Sequence, residues 1–173
     1  MTSISKTFDF HAAHRLPNHD GKCRRLHGHT YRVDIMITGN IIDTEGDSSQ
    51  AMVIDFGVLK DIWKGFDEHL DHHALLWDKD PLVDLINAGV GSLEEYGIEV
   101  TPVPPTAEHI AEMIFRNLWA ALAERPEPVI LDAVRVWETP TSWALFDGRH
   151  IHIIQGYDPG APEGDRTVIS KVN

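Results

Sequence analysis

Apolar side chains recur along this chain with two different periods. In 3–10 (SISKTFDF) and 31–38 (YRVDIMIT) they fall on roughly every second position among β-branched and aromatic residues, which predicts two strands joined by a loop containing Pro17, Asn18 and Gly21. Behind Asp55 the period changes: Val58, Leu59, Ile62, Trp63 and Phe66 fall at helical spacing, predicting an amphipathic helix over 56–68 with Asp55 as its N-cap. Ile110, Met113, Ile114, Leu118, Ala121 and Leu122 predict a second helix over 107–123, capped by the Thr106 hydroxyl, favoured by Glu108 in its first turn and ended by Pro126 and Pro128. Residues 129–137 and 142–147 read as two more strands, and 149–155 as a possible third after a tight Asp147-Gly148 turn. The stretch 78–105, with four prolines and three glycines, reads as a long irregular connection with room for one short helix or strand. The order is ββααββ, followed by a polar tail over 157–173.

Composition narrows the function classes. At 173 residues and 42% hydrophobic content the chain is one domain long, here 1–156 plus the tail. Its net charge of −12 argues against nucleic acid or an anionic membrane as partner. Residues 1–36 nevertheless carry six basic residues against three acids, so a local anion site is compatible with an acidic protein. A single cysteine excludes an internal disulfide framework, no apolar run approaches the length of a membrane helix, and the start MTSISKTFDF has no signal-peptide pattern; the expected setting is the cytoplasm.

Eleven histidines are the unusual feature. In His27-Gly28-His29 a period of two directs both imidazoles to one face, which is half of a tetrahedral zinc site. His14, just past the first predicted strand, is the best third ligand, and three histidines with an open position would be a catalytic arrangement. His150-Ile151-His152 has the same spacing without a third partner, and His69 with His73 lacks the H-E-x-x-H pattern of zinc proteases. Cys23 lies among Lys22, Arg24 and Arg25, cations that favour a thiolate; it is either a nucleophile or general base, or an inert thiol. Asp71-His72 could pair an orienting carboxylate with a base. Glu138, near the end of an apolar strand, needs a partner, either an arginine or the two parallel N–H groups of a 2-amino-pyrimidinone ring.

Six ordered motifs, FDFHAAHRL (8–16), C-x3-H-G-H-x-Y (23–31), VIDFGVLK (53–60), LDHHALL (70–76), PTAEHIA (105–111) and WETPTSWALF (137–146), resemble the 6-pyruvoyl/6-carboxy-tetrahydropterin synthase family. The resemblance implies an α+β tunnelling fold (T-fold), a four-stranded antiparallel sheet with two helices on one face, assembled as a homohexamer of two trimeric rings. It implies Zn2+ held by His14, His27 and His29, Cys23 as catalytic cysteine, and Asp71 with His72 as a base supplied by a neighbouring subunit. Glu138 then holds the pterin, with Thr106 and Glu108 in the same pocket. The C-x3-H-G-H interval resembles the bacterial 6-carboxy branch of the queuosine pathway, a lyase converting 7,8-dihydroneopterin triphosphate to 6-carboxy-5,6,7,8-tetrahydropterin, acetaldehyde and triphosphate. The alternatives are pyruvoyl-type elimination without carbon–carbon cleavage and a non-catalytic zinc or pterin module. A cupin would need a glutamate about five residues after H-x-H, where this chain has Arg-Val-Asp-Ile-Met at 32–36. Arg15, Lys22, Arg24 and Arg25 are candidate triphosphate contacts on charge alone. The chain departs from the family pattern in Leu76, in Trp137, in its longer tail and in an insertion over about 80–103, which could be a lid or a subunit contact.

Overall fold

A computed structural model describes residues 1–89, 91–125 and 129–149. Six strands form one sheet: β1 (Thr2–His14), β2 (His27–Gly39), β3 (Ala74–Trp77), β4 (Ile98–Thr101), β5 (Val129–Thr139) and β6 (Ser142–Phe146), in the order β4-β3-β1-β2-β5-β6. The four expected strands are its antiparallel part, β1-β2-β5-β6. The expectation of a sheet of only four strands is corrected, because β3 and β4 extend it in parallel beyond β1. The helices are α1 (Phe56–Leu70), α2 (Pro81–Gly89) and α3 (Ala107–Ala123). Both expected caps form: Asp55 Oδ1 accepts from the Gly57 N–H at 2.6 Å, and Thr106 Oγ1 from the His109 N–H at 3.4 Å.

Alternation decides which face is buried. Phe10, Ala12 and His14 on β1 share the inner face with Tyr31, Val33, Ile35 and Ile37 on β2 and with Val134 and Val136 on β5; α1 and α3 cover that face. Trp63 of α1 stacks on Phe8 with centroids 4.8 Å apart and tilts against Phe10 at 6.3 Å, while Phe10 stacks on Tyr31 at 4.8 Å. This aromatic column fixes the inner face of β2 directly beside the histidines, each pair adding about 0.5–1.5 kcal/mol beyond area burial.

Both predicted N-terminal strands are longer than their hydrophobic runs. β1 and β2 pair without interruption from Thr2↔Gly39 to His14↔His27, so His14 lies within β1, as its last residue, and not after it. Hydrophobic patterning missed this end because its inward positions are Ala12, His14, His27 and His29, and imidazoles do not register as apolar. The stretch 78–105 is likewise more ordered than expected. β3, α2 and β4 form a parallel crossover, with the Thr101 hydroxyl donating to the carbonyls of Leu76 (3.2 Å) and Val103 (2.7 Å). The anticipated strand over 149–155, the His150/His152 pair and the tail lie outside the described residues, apart from Arg149, which is in a turn.

Candidate active site

The ends of β1 and β2 bring His14 opposite His27, and the pleat places His29 on the same face. Ring centroids are 4.5 Å apart for His14–His27, 5.1 Å for His14–His29 and 5.0 Å for His27–His29. One ligand nitrogen from each lies within 4.8 Å of the others. Two of the tautomers follow from their partners, because a carbonyl can only accept. His14 Nδ1–H donates to the Pro105 carbonyl at 2.8 Å and His27 Nδ1–H to the Arg25 carbonyl at 2.8 Å, leaving each Nε2 lone pair free. The Nε2 atoms of His14 and His29 are buried without a hydrogen-bond partner among the described residues. Burial holds both imidazoles below the ordinary histidine value, with the neighbouring histidines adding to that direction and Glu138 opposing it; for His14 the Pro105 contact opposes it as well. Two buried, orphaned nitrogens converging with a third imidazole are a donor set that suits a borderline-soft divalent cation, so the residues fit a metal ion.

Glu138 points into this cluster. It follows Val134 and Val136 on the inner face, at a register irregularity of the β5–β6 ladder, and its Oε1 lies 3.5 Å from His14 Nε2 and 3.9 Å from His29 Nε2. Cys23 sits in a single 3-10 turn, Lys22–Arg24, and its carbonyl accepts from the Leu16 N–H at 2.9 Å, two residues after His14. Burial pushes the Tyr31 phenol up, and the electrostatic influence of Glu138 and then of Cys23 adds to that direction. Tyr31 is a member of the site that patterning by residue type passed over. It is fully buried, its ring meets those of His14 (5.9 Å) and His29 (5.5 Å) edge-on, and its hydroxyl has no hydrogen-bond partner among the described residues. The period of two from His27 through His29 to Tyr31 was the available signal.

Asp71 and His72 do touch, but on the other side of the sheet. α1 ends at Leu70, and His72 adopts a left-handed backbone (φ 60°), a strained conformation for a non-glycine residue. Asp71 Oδ2 accepts from His72 Nδ1–H at 2.6 Å, and Oδ1 accepts from the His11 N–H at 2.7 Å. The second of these is the main cause that holds the Asp71 carboxyl below its usual range. The His72 ring lies 5.9 Å from that of His11, which alternation directs away from His14. The dyad opens on a groove of about 480 Å³ lined by His11, Thr30, His73, Tyr96 and Gly97; His29 also borders it, although alternation directs the His29 imidazole, with those of His14 and His27, to the opposite face of the sheet. One chain therefore does not bring the dyad to the histidine cluster.

The basic residues divide. Lys22, Arg24 and Arg25 line a second hollow of about 540 Å³ with Asp20 and Gly21. Arg15 is not among them, since its Nε faces the buried Asp80 at 3.0 Å. Thr106 is committed to capping α3, and Glu108 is exposed in the first turn of that helix. His69 and His73 do not form the helical pair considered from sequence: α1 stops before His73, whose Nδ1–H donates to the Asp71 carbonyl, while His69 faces Glu99 at 3.7 Å.

The 6-pyruvoyl tetrahydropterin synthase family model matches residues 3–149. The chain belongs to that family. A 6-carboxy-5,6,7,8-tetrahydropterin synthase of Haemophilus influenzae is 36% identical over 154 residues, 84% of this chain and 99% of that protein. Another from Synechocystis is 40% identical over 147 residues, 84% of this chain and 93% of that protein. Among solved structures, an uncharacterized protein of Wolinella succinogenes superposes with a TM-score of 0.70 at 26% identity, over 84% of this chain and 97% of that one.

Proposed function

We infer that this chain is a lyase converting 7,8-dihydroneopterin triphosphate to 6-carboxy-5,6,7,8-tetrahydropterin, with release of acetaldehyde and triphosphate. The observation that carries this reading is the convergence of three imidazoles beside a cysteine loop, in a chain 36–40% identical over 84% of its length to curated synthases of that name. His14, His27 and His29 would hold Zn2+, which when bound supplies Lewis-acid polarisation of the substrate's side-chain hydroxyls. Cys23 accepts a proton from that side chain on the side of its own loop, and His72 exchanges protons at Nε2 from the opposite side, its Nδ1–H held by Asp71. Glu138 binds the 2-amino and N3 groups of the pterin through its two oxygens, and the family resemblance adds Thr106 and Glu108, at the start of α3, to the substrate contacts. Lys22, Arg24 and Arg25 meet the triphosphate.

Because Asp71 and His72 face away from the histidine cluster of their own chain, the complete site requires a second copy that presents its dyad there. This supports a homo-oligomer, and the family resemblance specifies two stacked trimers as a homohexamer. Among the described residues no helix is long and apolar enough to cross a membrane. We place the enzyme in the cytoplasm and its product in 7-deazaguanine (queuosine) biosynthesis. Mixing two inactive variants, His14→Ala and His72→Ala, tests the shared site. Hybrid oligomers regain activity if the dyad comes from another copy, and stay inactive if each chain is self-sufficient.

A further inference from the structure

We propose that Asp80 is a positioning residue for the metal ligands, acting through Arg15, so that the inserted segment braces the site instead of serving as a lid. The inference rests on the metal reading above. Three consecutive residues at the end of β1 have three separate tasks: His14 offers its Nε2 to the cluster, Arg15 pairs with Asp80, and the Leu16 N–H holds the carbonyl of Cys23 at 2.9 Å. A shift of this strand end moves a metal ligand and the cysteine loop together. Asp80 is 1% exposed, and its Oδ2 lies 3.0 Å from Arg15 Nε, with both atoms buried and neither engaged in a well-aligned hydrogen bond. A buried carboxylate without a cation is costly, so the fold holds Arg15 in place to compensate it.

Asp80 is in turn fixed by its own segment. Its N–H donates to the Trp77 carbonyl at 2.9 Å, its Oδ1 accepts from the Leu82 N–H at 2.9 Å, and its carbonyl accepts from the Val83 N–H at 2.9 Å, which starts α2. Just beyond the inserted stretch, at the start of the PTAEHIA motif, the Pro105 carbonyl takes the His14 Nδ1–H. The strand end is thus held from both borders of the inserted stretch, at Arg15 by Asp80 where it begins and at His14 by Pro105 just after it ends.

Asp80→Asn separates the two tasks of Asp80, because the amide keeps an oxygen for Leu82 while removing the charge that faces Arg15. Zinc affinity is measured on the metal-free protein by competition with a chromogenic chelator. The expected result is up to about tenfold weaker binding, at the low end of the loss seen when a partner hydrogen-bonded directly to a ligand is removed, because Asp80 acts on His14 only through Arg15. Arg15→Met/Asp80→Asn, which leaves no unpaired charge buried, folds even if a single variant does not and shows the same weakening. Unchanged affinity in the folded variants, with a melting temperature lowered equally with and without zinc, makes the pair merely structural and overturns the proposal. A wild-type protein that binds no zinc overturns the metal assignment itself, a separate and recognisable outcome.

Discussion

Asp71→Asn is the substitution whose outcome follows most closely from the geometry. Asp71 accepts two hydrogen bonds, one from the His11 backbone N–H at 2.7 Å and one from His72 Nδ1–H at 2.6 Å. Asparagine has one oxygen and one NH2. The backbone N–H can only donate, so the amide oxygen goes to His11 and the NH2 turns to His72 Nδ1, which then becomes the acceptor. The imidazole proton moves to Nε2, and the tip that serves as base in the wild type is blocked. The same substitution in a serine-protease triad costs about 10⁴ through the wrong tautomer, and a positioned base is worth about 10²–10⁴, so kcat should fall by about 10²–10⁴, or roughly 3–5 kcal/mol. Asp71→Ala leaves Nδ1 free to choose its tautomer and should retain more activity than Asp71→Asn. Steady-state kinetics on both variants, with 15N chemical shifts of the His72 ring, decide the matter. Near-wild-type turnover in Asp71→Asn, or a lower rate in the alanine variant, refutes the tautomer argument.

Other consequences are open to direct measurement. Cys23→Ala should bind zinc as the wild type does and lose about 10²–10⁴ in kcat, read by metal analysis and initial rates. Replacing Arg24 and Arg25 with glutamine should raise KM about tenfold or more, with a weaker salt dependence and little change in kcat, checked by kinetics across ionic strength. For the metal-free protein, His14 and His29 protonate less readily folded than unfolded. Above about pH 6.5 both states are neutral and this source of stability is constant. As pH falls through 6.5 the unfolded chain takes up protons first, so the melting temperature should decline until the folded histidines also protonate. Thermal melts from pH 8 to 5 should show that decline in the wild type and a shallower one in His29→Gln.

Helices α1 and α3 were legible to their first residues because a change of period coincides with a side chain able to cap, Asp55 in one case and Thr106 in the other, whereas α2 is a third helix beyond the two expected and was not located. The central strands were legible where β-branched and aromatic residues alternate. Their ends were not, since the inward positions there hold histidine and alanine, which carry little apolar signal. The cluster of three histidines was nonetheless legible, because H-x-H spacing on a strand is itself a geometric statement and His14 lies across the pair from His27. β3 escaped notice as a four-residue strand just before the proline- and glycine-rich stretch, and β4 as another within it, where order depends on tertiary partners such as Thr101 and Asp80. Arg15 was read as a charge available to an anion, because nothing in sequence announces that a carboxylate 65 positions away is buried beside it. The contact between Asp71 and His72 depends on a left-handed residue that neither side chain forecasts.

The central claim is most directly tested by incubating zinc-loaded protein with 7,8-dihydroneopterin triphosphate and quantifying both fragments. The account predicts one acetaldehyde per 6-carboxy-5,6,7,8-tetrahydropterin formed. A reduced pterin that keeps its three-carbon side chain, with triphosphate released and no acetaldehyde, would contradict it.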